Sequence, residues 1–167
     1  NSRLTQSISE LHRLKKLYDL DKEYSEYDKV GAEVISKNSG NWFSTFTINK
    51  GSDDGIQKDC NVIAGSGLVG IVTEVGKNWA TVRSIIDDTS NVGAMTMTTS
   101  DTCIVSGDMR LIDEGKLQFI HLKDQDDKIQ EGEKIVTSAV SDKFLKGILI
   151  GYVSEIEEDP NNLTKTG

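Results

Sequence analysis

Proline is nearly missing from this sequence, which holds one in 167 residues against 15 glycines. That balance excludes a proline-rich disordered linker and points to many tight turns. Imidazole is scarce too: His12 and His121 are the whole supply. Cys60 and Cys103 are the two cysteines, and no CxxC pair exists, which excludes a zinc ribbon. Each lies beside apolar neighbours, so both read as small buried hydrophobes rather than as a disulfide. No apolar run reaches the ~18–20 residues of a membrane span, and no signal peptide is visible. The chain opens mid-pattern and ends without a natural stop, so it reads as a piece of a longer protein, and the lack of a membrane segment here does not make that parent soluble. A net charge of -8 repels a phosphate backbone and argues against nucleic acid as a partner.

What is present divides at about residue 30. Residues 2–27 hold no glycine or proline, and Leu4, Ile8, Leu11, Leu14 and Tyr18 recur three and four apart. That spacing predicts an amphipathic helix over 1–30. Lys15 interrupts its stripe, and Leu17 and Leu20 point elsewhere. The stripe is a candidate surface for a weak homodimer.

After Gly31 the apolar period falls from 3.6 to 2, in runs rich in Val, Ile and Thr. Strands are expected near Ala32–Ser36, Trp42–Ile48, Cys60–Ala64, Leu68–Val75 and Trp79–Ile86. Further strands are expected at Val92–Met97, Thr102–Val105, Lys116–Leu122, Lys134–Ser138 and Ile148–Ile156. About ten strands separated by turns suggest a sandwich or barrel, and their number suggests two small barrels. The expected organisation is a first barrel over 31–86, with 147–156 as a candidate strand to complete it. A second barrel follows over 87–146, then a tail over 157–167.

Chemical motifs fail one by one. Gly65-Ser66-Gly67-Leu68-Val69-Gly70 fits GxGxxG, but a strand-like run follows where a dinucleotide site needs a helix. His121 lies near Asp124, Asp126 and Asp127, yet neither Ser66 nor Ser138 sits in a nucleophile frame. The stretch from Asp124 resembles a calcium loop only faintly, with Lys128 and Ile129 where an oxygen ligand and a glycine belong, and reads as an exposed acidic turn. No catalytic residue, metal site or cofactor is therefore expected.

The positive signal is a string of strand-and-turn signatures. Lys50-Gly51-Ser52-Asp53-Asp54-Gly55 is followed by Gly67-Leu68-Val69-Gly70, then by Thr137-Ser138, Lys146-Gly147 and Gly151-Tyr152-Val153. In that order they closely resemble the MreC family, from the helix to about Val153. Asn49, Ala139 and Leu145 depart from the family pattern at turns. The resemblance implies a non-catalytic scaffold of cell-wall elongation, anchored by one membrane span and carrying a coiled-coil helix and two small β-barrels outside the cell membrane. It also implies penicillin-binding proteins, MreD, MreB and RodA as partners. Lys50, Gly51, Ser52, Gly55, Gly67, Gly70, Thr137, Ser138, Gly147 and Gly151 are then structural turn residues. Trp42, Phe43, Phe144 and Tyr152 are the aromatics open to docking or to core packing. A trypsin-like barrel hydrolase and a periplasmic export adaptor are the competing classes. The first lacks a spaced triad, and the second calls for long paired helices and a returning second half-barrel where this chain has a single short helix.

Overall fold

The computed structural model describes residues 1–37, 44–65, 67–124, 126–140, 142–161 and 163–167. Trp42, Phe43 and Ser66, singled out above, lie outside them. The chain is mainly β, with one N-terminal helix. Helix α1 runs Ser2–Glu23, a span free of glycine and proline. Twelve strands follow among the described residues: β1 Val34–Lys37, β2 Thr45–Ile48, β3 Asn61–Ala64, β4 Gly67–Val75, β5 Ala80–Ser84, β6 Asn91–Thr96, β7 Thr102–Ser106, β8 Gln118–Ile120, β9 Lys134–Thr137, β10 Leu149–Tyr152, β11 Glu157–Glu158 and β12 Lys165–Thr166.

All ladders are antiparallel. The first sheet has the order β1-β2-β5-β4-β3 and the second β10-β9-β6-β7-β8. The chain passes from one sheet to the other between β5 and β6. Both barrel-like units use short strands and bulges; register shifts within β4–β5 and β9–β10 bend the sheets. Segment 147–156, expected as a candidate for the first barrel, contributes β10, which is hydrogen-bonded to β9 in the second sheet. Leu149, the first residue of β10, still abuts the first sheet: a Cβ on Gly67 would lie 2.5 Å from the Leu149 carbonyl oxygen.

Period-2 alternation on β4 sends neighbouring side chains into different cores. Val72 packs with Ile48, Ala80 and Val82. Leu68 and Ile71 enter a larger core shared with Val92, Ala94, Val105, Phe119 and Ile135 of the second sheet. Leu20 and Tyr24, four apart and so on one helical face, enter this same core. Burial of such side chains contributes about 1.5–3 kcal/mol each, so the helix end is fixed to both sheets. Phe144 is core as well.

The acidic turn reading needs correction. Asp124 is buried, not solvated. Its carboxylate accepts backbone hydrogen bonds from Lys128 at 2.9 Å and Ile129 at 3.2 Å, and one from the Lys165 ammonium at 3.0 Å. A lysine from the last strand thus neutralises the loop. Within 157–167, expected as a tail, Glu157–Glu158 pairs with Lys165–Thr166 as the β11–β12 hairpin; Lys165 bridges to Leu122 just past β8, and Gly167 exchanges backbone hydrogen bonds with Phe119 of β8.

Candidate partner-binding surfaces

The helix presents two faces with opposite fates. Leu20 and Tyr24 are buried, whereas Leu4, Ile8, Leu11, Leu14 and Tyr18 are between 48% and 65% exposed. Leu17 is also exposed. The stripe therefore does not lie on the chain's own described sheets. Its charges are surface groups: Arg13 pairs loosely with Glu10 at 3.8 Å, and the Lys22 ammonium sits 5.6 Å from the Tyr18 ring centre. Such contacts contribute little in water and leave the apolar stripe as the dominant feature. No helix among the described residues is long and apolar enough to cross a membrane.

Below the stripe, side chains from two elements fasten the helix end. The Tyr24 hydroxyl accepts from the Leu149 N–H at 3.2 Å. Burial pushes the Tyr24 phenol up, against that hydrogen bond. The Tyr27 hydroxyl donates to the Lys146 carbonyl at 2.7 Å. Lys29 donates to the Tyr24 and Tyr27 carbonyls and pairs with Asp21 at 3.1 Å. These tyrosines were missed in the sequence. Leu20 and Tyr24 form a two-residue face, too short to show as a period, although their phase opposite the stripe was available.

A second surface lies between β8 and β10, the two ends of the second sheet's strand order. A cleft of about 210 Å³ opens there, lined by Leu117, Phe119, Ile150, Gly151 and Tyr152 with Lys116 at its rim. Tyr152, one of the sequence candidates, is exposed. Lys116 is held by Glu155 at 2.8 Å and Glu114 at 3.4 Å. The edge of β1 is the third apolar surface, with Val34 and Ile35 exposed.

The motif residues, expected at turns, divide: Thr137 lies within β9, Gly151 within β10, and Gly67 and Gly70 within β4, where close strand approach rather than a turn sets the two glycine positions. Gly51 sits where a Cβ would fall 2.3 Å from the Gly76 carbonyl oxygen and 2.7 Å from Trp79 backbone atoms, so no side chain fits. Lys50 reaches Asp54 at 4.0 Å, and the Ser52 N–H donates to Gly76 at 2.9 Å. Gly55 and Gly147 have positive φ, and Gly70 lies against Arg83. Thr137 and Ser138 close β9, the latter donating its N–H to the Gly93 carbonyl at 3.0 Å. Gly151 has open space around it. His121 is exposed, at a φ of 58°, while the Ser138 side chain is buried with its hydroxyl unpartnered. Among the described residues no group of three or more His, Cys, Asp or Glu side chains could hold a metal ion.

Comparison with known proteins covers this whole β region. The family model "Rod shape-determining protein MreC, barrel core" matches residues 34–167. A cell shape-determining protein MreC from Listeria monocytogenes is 35% identical over 159 residues, covering 92% of this chain and 52% of the relative. The Bacillus subtilis protein of the same name is 29% identical over 152 residues, with 86% and 52% covered. The chain thus spans about half the length of these curated relatives. A solved MreC structure from Listeria superposes with a TM-score of 0.74 at 35% identity, covering 99% of this chain and 82% of that one. The MreC of a complex with a penicillin-binding protein from Helicobacter pylori has a TM-score of 0.63 at 14% identity, with 81% of each chain covered, a likeness of fold alone.

Proposed function

The chain belongs to the MreC family of cell shape-determining proteins, and from that premise we propose that it is a non-catalytic scaffold of wall elongation, working on the outer side of the bacterial cell membrane. The observation that carries this reading is the split helix. Its end is buried in the core shared by both sheets, while its apolar stripe is left wet. A protein built to hold other proteins needs such a rigid body with an unfilled apolar face. The names of the relatives, cell shape-determining proteins rather than enzymes, support the non-catalytic half of the proposal.

The partner proposed first is the ectodomain of a penicillin-binding protein, a partner with which the Helicobacter MreC forms a complex. MreD, MreB and RodA are proposed as members of the same assembly through the rest of a longer, membrane-anchored chain. Scaffolding would act by differential affinity, with binding favouring one arrangement of the synthase. Isolated domains bind weakly, because a shared membrane normally raises the effective concentration. Calorimetry and pull-down with the cognate elongation synthase test the proposal. Saturable binding by the folded chain supports it. Binding by a peptide of residues 1–30 together with none by the folded chain moves the interface off the β domains. No binding by either removes the synthase as a direct partner.

A further inference from the structure

The segment between β9 and β10 is fastened from three directions. From the first sheet, Asn61 at the start of β3 uses both ends of its amide. Its Nδ2 donates to the Lys143 carbonyl at 2.8 Å, and its Oδ1 accepts from the Leu145 N–H at 2.8 Å. From the helix end, Tyr27 reaches the Lys146 carbonyl at 2.7 Å and Tyr24 the Leu149 N–H at 3.2 Å. From the second sheet, the Thr137 hydroxyl donates to the Leu145 carbonyl and accepts from the Ile148 N–H at 2.8 Å. Phe144, in the middle, is buried in the shared core. Residues 142–148 lie outside the strands; the Thr137 backbone bonds Gly147 and Ile148, and these side chains satisfy much of the remaining backbone.

We propose that residues 142–149 form a strap that couples the direction of the helix to the joint between the two sheets. The residues that grip it lie far apart in sequence but within a few backbone atoms of one another along the strap. A shift of the helix end pulls on Lys146 and Leu149. The adjoining Lys143 and Leu145 are tied to Asn61, so the first sheet is pulled with them. Thr137 passes the same displacement to β9. Coupling of this kind is reciprocal: whatever fixes the helix fixes the joint, and whatever closes the joint fixes the helix. This device is independent of which partner the protein serves.

Hydrogen exchange read by mass spectrometry on the whole chain tests it, with two variants placed at opposite ends of the strap. Asn61→Ala removes the grip of the first sheet. Tyr27→Phe removes one hydroxyl from the helix end and nothing else. Loss of a neutral hydrogen bond corresponds to roughly fivefold faster exchange. With coupling, Asn61→Ala accelerates exchange at residues 20–27 as well as at 143–149. Tyr27→Phe likewise accelerates exchange at Asp59–Ile63. In both, β6 and β7 keep their parental rates. Faster exchange confined to the strap itself overturns the proposal, because the two grips would then be independent. An equal rise at β6 and β7 also overturns it, since the effect would then be a loss of global stability.

Discussion

Asp124 and Lys165 meet at 3.0 Å across 41 residues of sequence, with side chains only 1% and 13% exposed. The lysine also reaches Asp127, whose side chain is open to solvent. Burial works to raise the Asp124 pKa. The Lys165 ammonium and the Lys128 and Ile129 N–H groups outweigh it, holding the carboxyl below its ordinary 3.8. Lys165 moves upward from 10.5, through its bonds to Asp127 and Asp124. The depressed carboxyl contributes stability that is present above its unfolded pKa and is lost as pH falls through the folded one. The raised lysine contributes stability present below its unfolded pKa and lost as pH rises through the folded one. The β11–β12 hairpin should therefore be held firmly between about pH 5 and 10 and loosen outside that window. Amide exchange at 165–167 against pH is the measurement. Asp124→Ala leaves two N–H groups without an acceptor and Lys165 with Asp127 as its remaining carboxylate, and should cost about 1–3 kcal/mol in urea unfolding. A loss below about 0.5 kcal/mol, the range of ordinary surface changes, would make the pair ornamental.

Two glycines of the family motif should answer differently to the same substitution. A Cβ at Gly67 would stand 2.5 Å from the Leu149 carbonyl oxygen, a backbone atom that cannot swing aside. Gly67→Ala must push β4 away from β10 and should cost roughly 1–3 kcal/mol. Gly151→Ala meets nothing within 4 Å, and its effect should stay within about 0.5 kcal/mol. Urea midpoints of both variants, compared at equal slope, check the contrast. Equal destabilisation would mean that strand propensity, not close approach, sets the requirement for glycine.

The cysteines predict a chemical order. Cys103 is buried, and burial pushes its thiol up to about 12. Cys60 is also free but only half-buried, which corrects the expectation that both are core. Iodoacetamide applied to the folded protein at pH 8 should label Cys60 and leave Cys103 intact, since the thiolate is the nucleophile. Peptide mapping reads the order directly. Early labelling of Cys103 would mean that β7 opens far more readily than its neighbours allow.

How much of this could be read from the sequence depended on distance along the chain. The period-2 runs located most strands, because alternation is a local property; Leu68–Val75 was expected and Gly67–Val75 is observed. The helix stripe was equally local. Asp124 and Lys165 looked like surface charges because their pairing is non-local, and one residue type cannot show which charges are paired. Asn61 is a local signal of a non-local contact. Asparagine is depleted in strands, so its place at the head of an otherwise apolar run marked a side chain with backbone to hold. Glu157–Glu158 and Lys165–Thr166 carry no apolar alternation, and their hairpin is held by Thr164 and Thr166 donating to Asp159 instead.

The exposed stripe leads to a prediction about assembly. Leu4, Ile8, Leu11, Leu14 and Tyr18 remain open although Leu20 and Tyr24, on the opposite face at the helix end, are buried. The chain's own described sheets thus do not cover them, and a second copy of the helix is the simplest cover. Burying each leucine or isoleucine gains about 1.5–3 kcal/mol at best, and association plus side-chain ordering returns much of it. Lys15 beside the stripe shortens any dry seam. The expected outcome is a weak, concentration-dependent dimer whose β domains stay folded when it dissociates. Sedimentation equilibrium of the parent beside a Leu11→Asp/Leu14→Asp variant decides it. A dimerising parent and a monomeric variant with an unchanged urea midpoint make the stripe the contact. A parent that stays monomeric at high concentration ends the dimer idea. A variant that loses stability of the β domains would show that the stripe folds back on its own chain in solution.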